Sequence, residues 1–174
     1  MSGAAWANRR ILITGADGFL GRSVVAAIPV SPACSSMFTT GTVIAGPLAG
    51  LIIKRRGAAL FGELIAASVS FLLASQWSID ALFSGAAQGL GAEVVFLLFG
   101  YRVWGWPVVV AAGAASGVGM ALHDLPLYFA GVDASYAALL AAAMIASSAL
   151  LGGGGALLLH RALRRSGALD AIGA

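Results

Sequence analysis

A handful of polar side chains stand in surroundings otherwise fit for lipid, and they are where any chemistry must lie. The stretch SQWSIDALFSGAAQGLGAEVVFLLFGYR, residues 75–102, carries Gln76 and Trp77 at its start, then Asp80, Gln88 and Glu93. Glu63 precedes it, and His123, Asp124 and Tyr128 follow it. A carboxylate near mid-bilayer costs at least about 2.5 to 3.5 kcal/mol, so each such acid must face a cavity, a partner or a ligand. Amides, an acid and aromatic faces together suit a flat, polar, cationic heterocycle held by stacking and cation–π contact, and do not suit a phosphate. Gln88 is the best single candidate, because Ala87 and Gly89 leave space beside its amide.

Each residue also has a structural alternative. Trp77 fits an interfacial anchor, Glu63 and Glu93 fit interhelical ties, His123 fits a packed histidine, and Asp80 fits a helix cap. Buried acids would serve proton coupling as well, so a proton-coupled carrier of a small cation is the rival within transport. No serine or cysteine sits in a recognisable nucleophile setting, and there is no Gly-Lys-Ser/Thr phosphate loop. No catalytic residue, cofactor or metal site is expected: the one cysteine, Cys34, forms no internal disulfide, and no Cys/His spacing suggests a metal.

The elements that must position these groups are membrane helices. Of the 174 residues, 60% are hydrophobic and 10% charged, against roughly a quarter charged in a soluble domain. Windows 57–101 and 103–160 lack any Lys or Arg, and each has room for two spans of about 20 residues. Apolar runs predict an all-α, polytopic bundle of about five spans near 38–53, 57–76, 80–100, 106–129 and 136–160. Breaks between them are short, so neighbours should pack antiparallel.

Basic residues fall at alternate breaks: 54–56, Arg102 and the tail 161–165. The positive-inside rule puts those three, and the C-terminus, in the cytoplasm. Trp77 and Tyr136 then mark the outer interface, and Tyr101, Trp104 and Trp106 the inner one. At 1.5 Å per residue Gln88 lies about 12 Å below the outer end of its helix. His123, Asp124 and Tyr128 return to the outer third on the next helix. Gln76, Trp77, Gln88, Asp124 and Tyr128 are thus expected to converge on one pocket open to the outside. Small residues in AAGAASGVGMA at 111–121 and LLGGGGALLL at 150–159 allow close helix approach. The net charge of +3 lies in small clusters without interleaved aromatics, which argues against nucleic acid.

Residues 10–25, RILITGADGFLGRSVV, do not fit this picture. They resemble the opening of extended short-chain dehydrogenase/epimerase proteins, whose glycines turn a strand into a helix that receives a pyrophosphate. An NAD(P)-dependent epimerase or reductase fragment is therefore the alternative outside transport. Against it, residues 29–53 hold no acid for a ribose, and the only lysine, Lys54, has no tyrosine four positions before it. Residues 1–37 are accordingly expected to be a graft unrelated to the membrane domain at 38–165, with 166–174 a C-terminal tail. Pro29 and Pro32 mark the expected seam.

GPLAGLIIKRRGAALFGELIAA at 46–67, SQWS at 75–78 and GAAQGLGAEVVFLLFGYRVW at 85–104 resemble the YkoE family. Its members are integral-membrane S components of energy-coupling factor (ECF) transporters. The likeness runs more loosely over about residues 40–167. It implies a substrate-binding subunit for thiamine or its hydroxymethylpyrimidine precursor, without choosing between them. It also implies a transmembrane coupling (T) subunit and ABC-type ATPase subunits whose hydrolysis drives import. The family has six helices, one more than the runs supply here, so transport competence is the open expectation.

Overall fold

The computed structural model describes residues 43–72 and 80–169, with the side chains of residues 70–72 left aside. Cys34, the Gly-rich stretch at 10–25, the start of the 38–53 run, and Gln76 with Trp77 therefore lie outside the described residues. Every element among the described residues is helical: α1 Ala45–Ile53, α2 Ala58–Leu72, α3 Asp80–Leu98, α4 Trp106–Tyr128 and α5 Ala134–Ser147. The chain then passes through a π-helical segment, Ser148–Gly154, into α6, Gly155–Arg165.

Backbone chemistry sets the boundaries. Lys54 ends α1 in the left-handed region (φ 52°), with its N–H on the Gly50 carbonyl. Gly57 at φ 86° opens the turn into α2. Gly100 and Tyr101, at φ 61° and 54°, close α3, and the Tyr101 N–H reaches back to the Phe96 carbonyl at 2.9 Å. Pro107 opens α4, where its missing N–H leaves nothing unpaired. Asp133 caps α5 by accepting from the Ser135 N–H at 3.0 Å.

Among the described residues three helical stretches are long and apolar enough to cross a bilayer: Asp80–Leu98, Trp106–Tyr128 and the continuous Ala134–Arg165. The last runs beyond the expected 136–160, since the arginines of its final turn sit past the apolar part on the same helix. Ala58–Val69 is a shorter apolar helix. Large apolar side chains face outward along the bundle, among them Phe61, Phe83, Leu90, Leu98, Leu122, Leu150 and Leu158. Hydrocarbon is the solvent for such a surface, and helices satisfy their backbone polar groups internally there.

Since lipid offers no hydrophobic drive between helices, association depends on close packing of small side chains. The tightest crossing joins α3 to α4. A Cβ on Gly91 would lie 2.2 Å from the Ala115 carbonyl oxygen, and one on Gly119 would lie 2.2 Å from that of Ala87. Against the π-helical segment, α4 approaches as closely: a Cβ on Gly113 would stand 2.5 Å from the Gly153 nitrogen. Leu51, Ala59, Ala92, Phe96, Val108, Val109, Ala112 and Ala156 fill the core toward the basic end. Phe96, Tyr101 and Trp104 stack there in a triangle with centroids 5.4 to 5.7 Å apart.

Candidate functional site

At the end of the bundle away from the basic breaks, the start of α3 and the end of α4 share one chain of hydrogen bonds. Asp80, Ser84 and Gln88 follow one another at four-residue spacing, which places them on one face of α3. Asp124 and Tyr128 have the same spacing on α4. Gln88 Nε2 donates to Ser84 Oγ at 2.9 Å, and Ser84 Oγ donates to Asp124 Oδ1 at 3.3 Å. His123 joins the two acids, with Nδ1 2.9 Å from Asp124 Oδ1 and Nε2 3.5 Å from Asp80 Oδ1. The Tyr128 hydroxyl donates to Asp80 Oδ2.

The depth of these groups differs. Gln88 is 5% exposed and Asp124 9%, whereas Tyr128 is 44% exposed at the rim. The buried carbonyl oxygen of Gln88, Oε1, has no hydrogen-bond partner among the described residues. An orphaned acceptor at that depth costs on the order of 1–3 kcal/mol, so a donor from elsewhere would relieve it. Two acids and one imidazole thus meet within a single hydrogen-bonded cluster.

The structure thus brings Gln88, Asp124 and Tyr128 together, with Gln76 and Trp77 outside the described residues. Ser84, which links Gln88 to Asp124, escaped the sequence reading, although its four-residue spacing from both Asp80 and Gln88 was the available signal. Asp80 does more than begin its helix, since it meets both His123 and Tyr128. His123, read there as packed, bridges two acids.

Glu63 and Glu93 stand elsewhere, each at the N-terminus of a neighbouring helix. Glu63 on α2 accepts from the Gly46 N–H at 2.7 Å, in the first turn of α1. Glu93 on α3 accepts from the N–H groups of Gly57 (2.6 Å) and Ala59 (3.2 Å), at the start of α2. Both helix starts would otherwise leave orphan donors buried, and a carboxylate complements their positive dipole ends. Burial, with Glu93 close by, pushes the Tyr101 hydroxyl above the ordinary phenol range, so it stays neutral.

An all-helical bundle with a lipid-facing exterior and a buried polar chain near one end defines a multi-pass membrane protein with an intramembrane polar site. Comparison with known proteins narrows the class. A family profile described as "ABC-type cobalt transport system, permease component" matches residues 11–119. A solved structure titled as an S component of an ECF transporter superposes with a TM-score of 0.79 at 29% identity, covering 87% of this chain and 77% of that one. An inferred HMP/thiamine permease protein, YkoE of Bacillus subtilis (strain 168), is 39% identical over 82 residues. That match takes in 47% of this chain and 41% of the relative. The chain belongs to the family of ABC-type cobalt transport permease components, and the relative and the solved structure support the resemblance of 46–104 to the YkoE-type S components.

Proposed function

We propose that this chain is the substrate-binding S component of an ECF-type importer for thiamine or hydroxymethylpyrimidine. The observation that carries the reading is the polar chain from buried Gln88 through Ser84, Asp124 and His123 to Asp80, with the Gln88 carbonyl left without a donor among the described residues. An aminopyrimidine offers that donor, and a cationic ring suits a cluster of two acids with a phenol at its rim. The name of the Bacillus subtilis relative supports the same substrate class.

In this reading Gln76, Trp77, Gln88, Asp124 and Tyr128 contact the ligand, with Asp80, Ser84 and His123 completing the site. Glu63 and Glu93 hold the frame through helix starts. The basic breaks and the C-terminus face the cytoplasm and the polar cluster faces outward. A T subunit and ABC-type ATPases supply coupling and hydrolysis. Residues 38–165 form the membrane domain, with 1–37 a segment apart and 166–174 a tail.

The test is tryptophan-fluorescence quenching of detergent-purified protein by thiamine and by hydroxymethylpyrimidine, in wild type, Gln88→Ala and Trp77→Phe. Saturable binding weakened by Gln88→Ala is the expected result. Folded protein that binds neither compound would overturn the assignment. A proton-coupled carrier would instead move a small cation into vesicles holding this chain alone under a proton gradient; the S-component reading predicts no such uptake.

A further inference from the structure

At the opposite end of the bundle lies a cavity of about 310 Å³ that the vitamin-binding reading does not use. Leu51 and Lys54 from α1, Trp104 and Trp106 from the turn into α4, and Leu157, His160, Arg161 and Arg164 from α6 line it. Residues about a hundred positions apart thus form one concave surface. Leu157, Arg161 and Arg164 recur at the spacing of a single helix face, which makes α6 a wall that is apolar toward the bundle middle and basic toward its end.

Basic charge is concentrated there, with no compensating ion pair among the described residues. No carboxylate is among the lining residues, and the ion pairs found among the described residues all involve His123 at the other end. Lys54 and Arg164 both act electrostatically on His160, so Lys54 of α1 shares one neighbourhood with two residues of α6. Like charges gathered around a cavity call for an anion. Trp104 packs against Phe96 and Tyr101, while Trp106 is 65% exposed beside it. Indole rings of this kind occupy headgroup depth. Next to the basic wall, α6 turns Leu158 and Leu159 outward, and Ile53 is exposed immediately before Lys54. The pocket therefore opens at the boundary between cations and lipid-facing apolar surface.

We propose that this cavity is a binding site for an anionic phospholipid, with the phosphate held by Lys54, Arg161 and Arg164 and the acyl chains lying along the exposed leucines of α6. Basic pockets between membrane helices bind such headgroups by the same chemistry. The tryptophans close the site at the glycerol level, and Leu51 and Leu157 form its apolar floor. A free phosphate would satisfy the cations but leave the adjoining apolar surface unused, and this distinguishes the two sources.

Native mass spectrometry of the purified full chain, titrated with phosphatidylglycerol or phosphatidylcholine, measures the site. Arg161→Gln/Arg164→Gln is compared with Arg55→Gln/Arg56→Gln, which removes the same charge from the neighbouring turn but outside the cavity. The expected result is saturable retention of phosphatidylglycerol over phosphatidylcholine, weakened about thirty-fold by the cavity pair and less than about threefold by the turn pair. Trp106→Phe, which alters no charge and an exposed ring, should reduce retention more modestly in protein of unchanged helicity. Equal losses in the two double variants would overturn the proposal, because attraction would then be diffuse. Displacement of the lipid by millimolar inorganic phosphate would also overturn it, marking a free-anion pocket.

Discussion

Replacing Glu93 separates a structural carboxylate from a ligand-binding one. Its two oxygens accept from Gly57 and Ala59 at 2.6 and 3.2 Å, and the residue is 6% exposed. Removing the side chain in Glu93→Ala strands two donors at the start of α2, each costing on the order of 1–3 kcal/mol. It also deletes a favourable dipole contact of about 0.3–1 kcal/mol. Gly57 is only half-buried, so its donor falls at the low end, and the sum is about 3 kcal/mol. Glu93→Gln keeps one acceptor oxygen and should lose about half of that. The assay is equilibrium unfolding in mixed micelles with increasing SDS, followed by far-UV circular dichroism, beside vitamin binding at a denaturant-free point. The expected order is wild type, Gln, Ala, with affinity within about twofold for whichever variants fold. Two variants as stable as wild type but unable to bind would refute the capping role and return Glu93 to the ligand.

Glu63→Gln should cost less than about 1.5 kcal/mol in the same unfolding assay, because one amide oxygen suffices for the Gly46 N–H, whereas Glu63→Ala should cost about 1–3 kcal/mol. Gly119→Val should destabilise the bundle by about 3 kcal/mol or prevent assembly, since even a Cβ there would meet the Ala87 carbonyl oxygen at 2.2 Å; normal expression and melting would contradict the α3–α4 packing. Asp124→Asn should weaken vitamin binding by about tenfold or more, the scale of one lost charge-assisted hydrogen bond, as read by fluorescence titration. Bonds from Ser135 hold the Asp133 carboxyl below its ordinary value. Its contribution to the start of α5 is therefore complete above an unfolded pKa of about 4 and is lost as pH falls through the folded value. Hydrogen exchange at Ser135 to Ala137 should show that loss in wild type and not in Asp133→Ala.

Composition and periodicity alone made the helical membrane class legible, because a charge-poor chain with basic residues only at alternate breaks has few other ways to fold. The helix starts near 57, 80 and 106 were equally readable, with Gly57, Gly100 and Pro107 interrupting the apolar runs. The placement of Gln88, Asp124 and Tyr128 toward one end followed from counting 1.5 Å per residue along antiparallel helices. Ser84 and the bridging role of His123 did not follow, since a span count gives depth but not rotation about the helix axis. Rotation is set by which glycines meet which carbonyls, and that is decided only when α3 and α4 pack at Gly91 and Gly119.

For the same reason Glu63 and Glu93 could not be told from ligand contacts in the sequence. An acid in an apolar run needs a partner, and the sequence says so; here the partners are backbone N–H groups of the preceding helix, 17 residues away for Glu63 and 34 and 36 residues away for Glu93. Nor could the basic cavity be seen, because Lys54 and Arg161 belong to separate clusters until α6 folds back against α1. The sequence by itself determined the solvent, the helices and the depth of each polar group, since these depend on local hydrophobicity and helical rise. Tertiary structure alone decided which polar groups meet, because partnership in a bilayer depends on helix rotation and close approach, and those belong to the packed bundle rather than to any one segment.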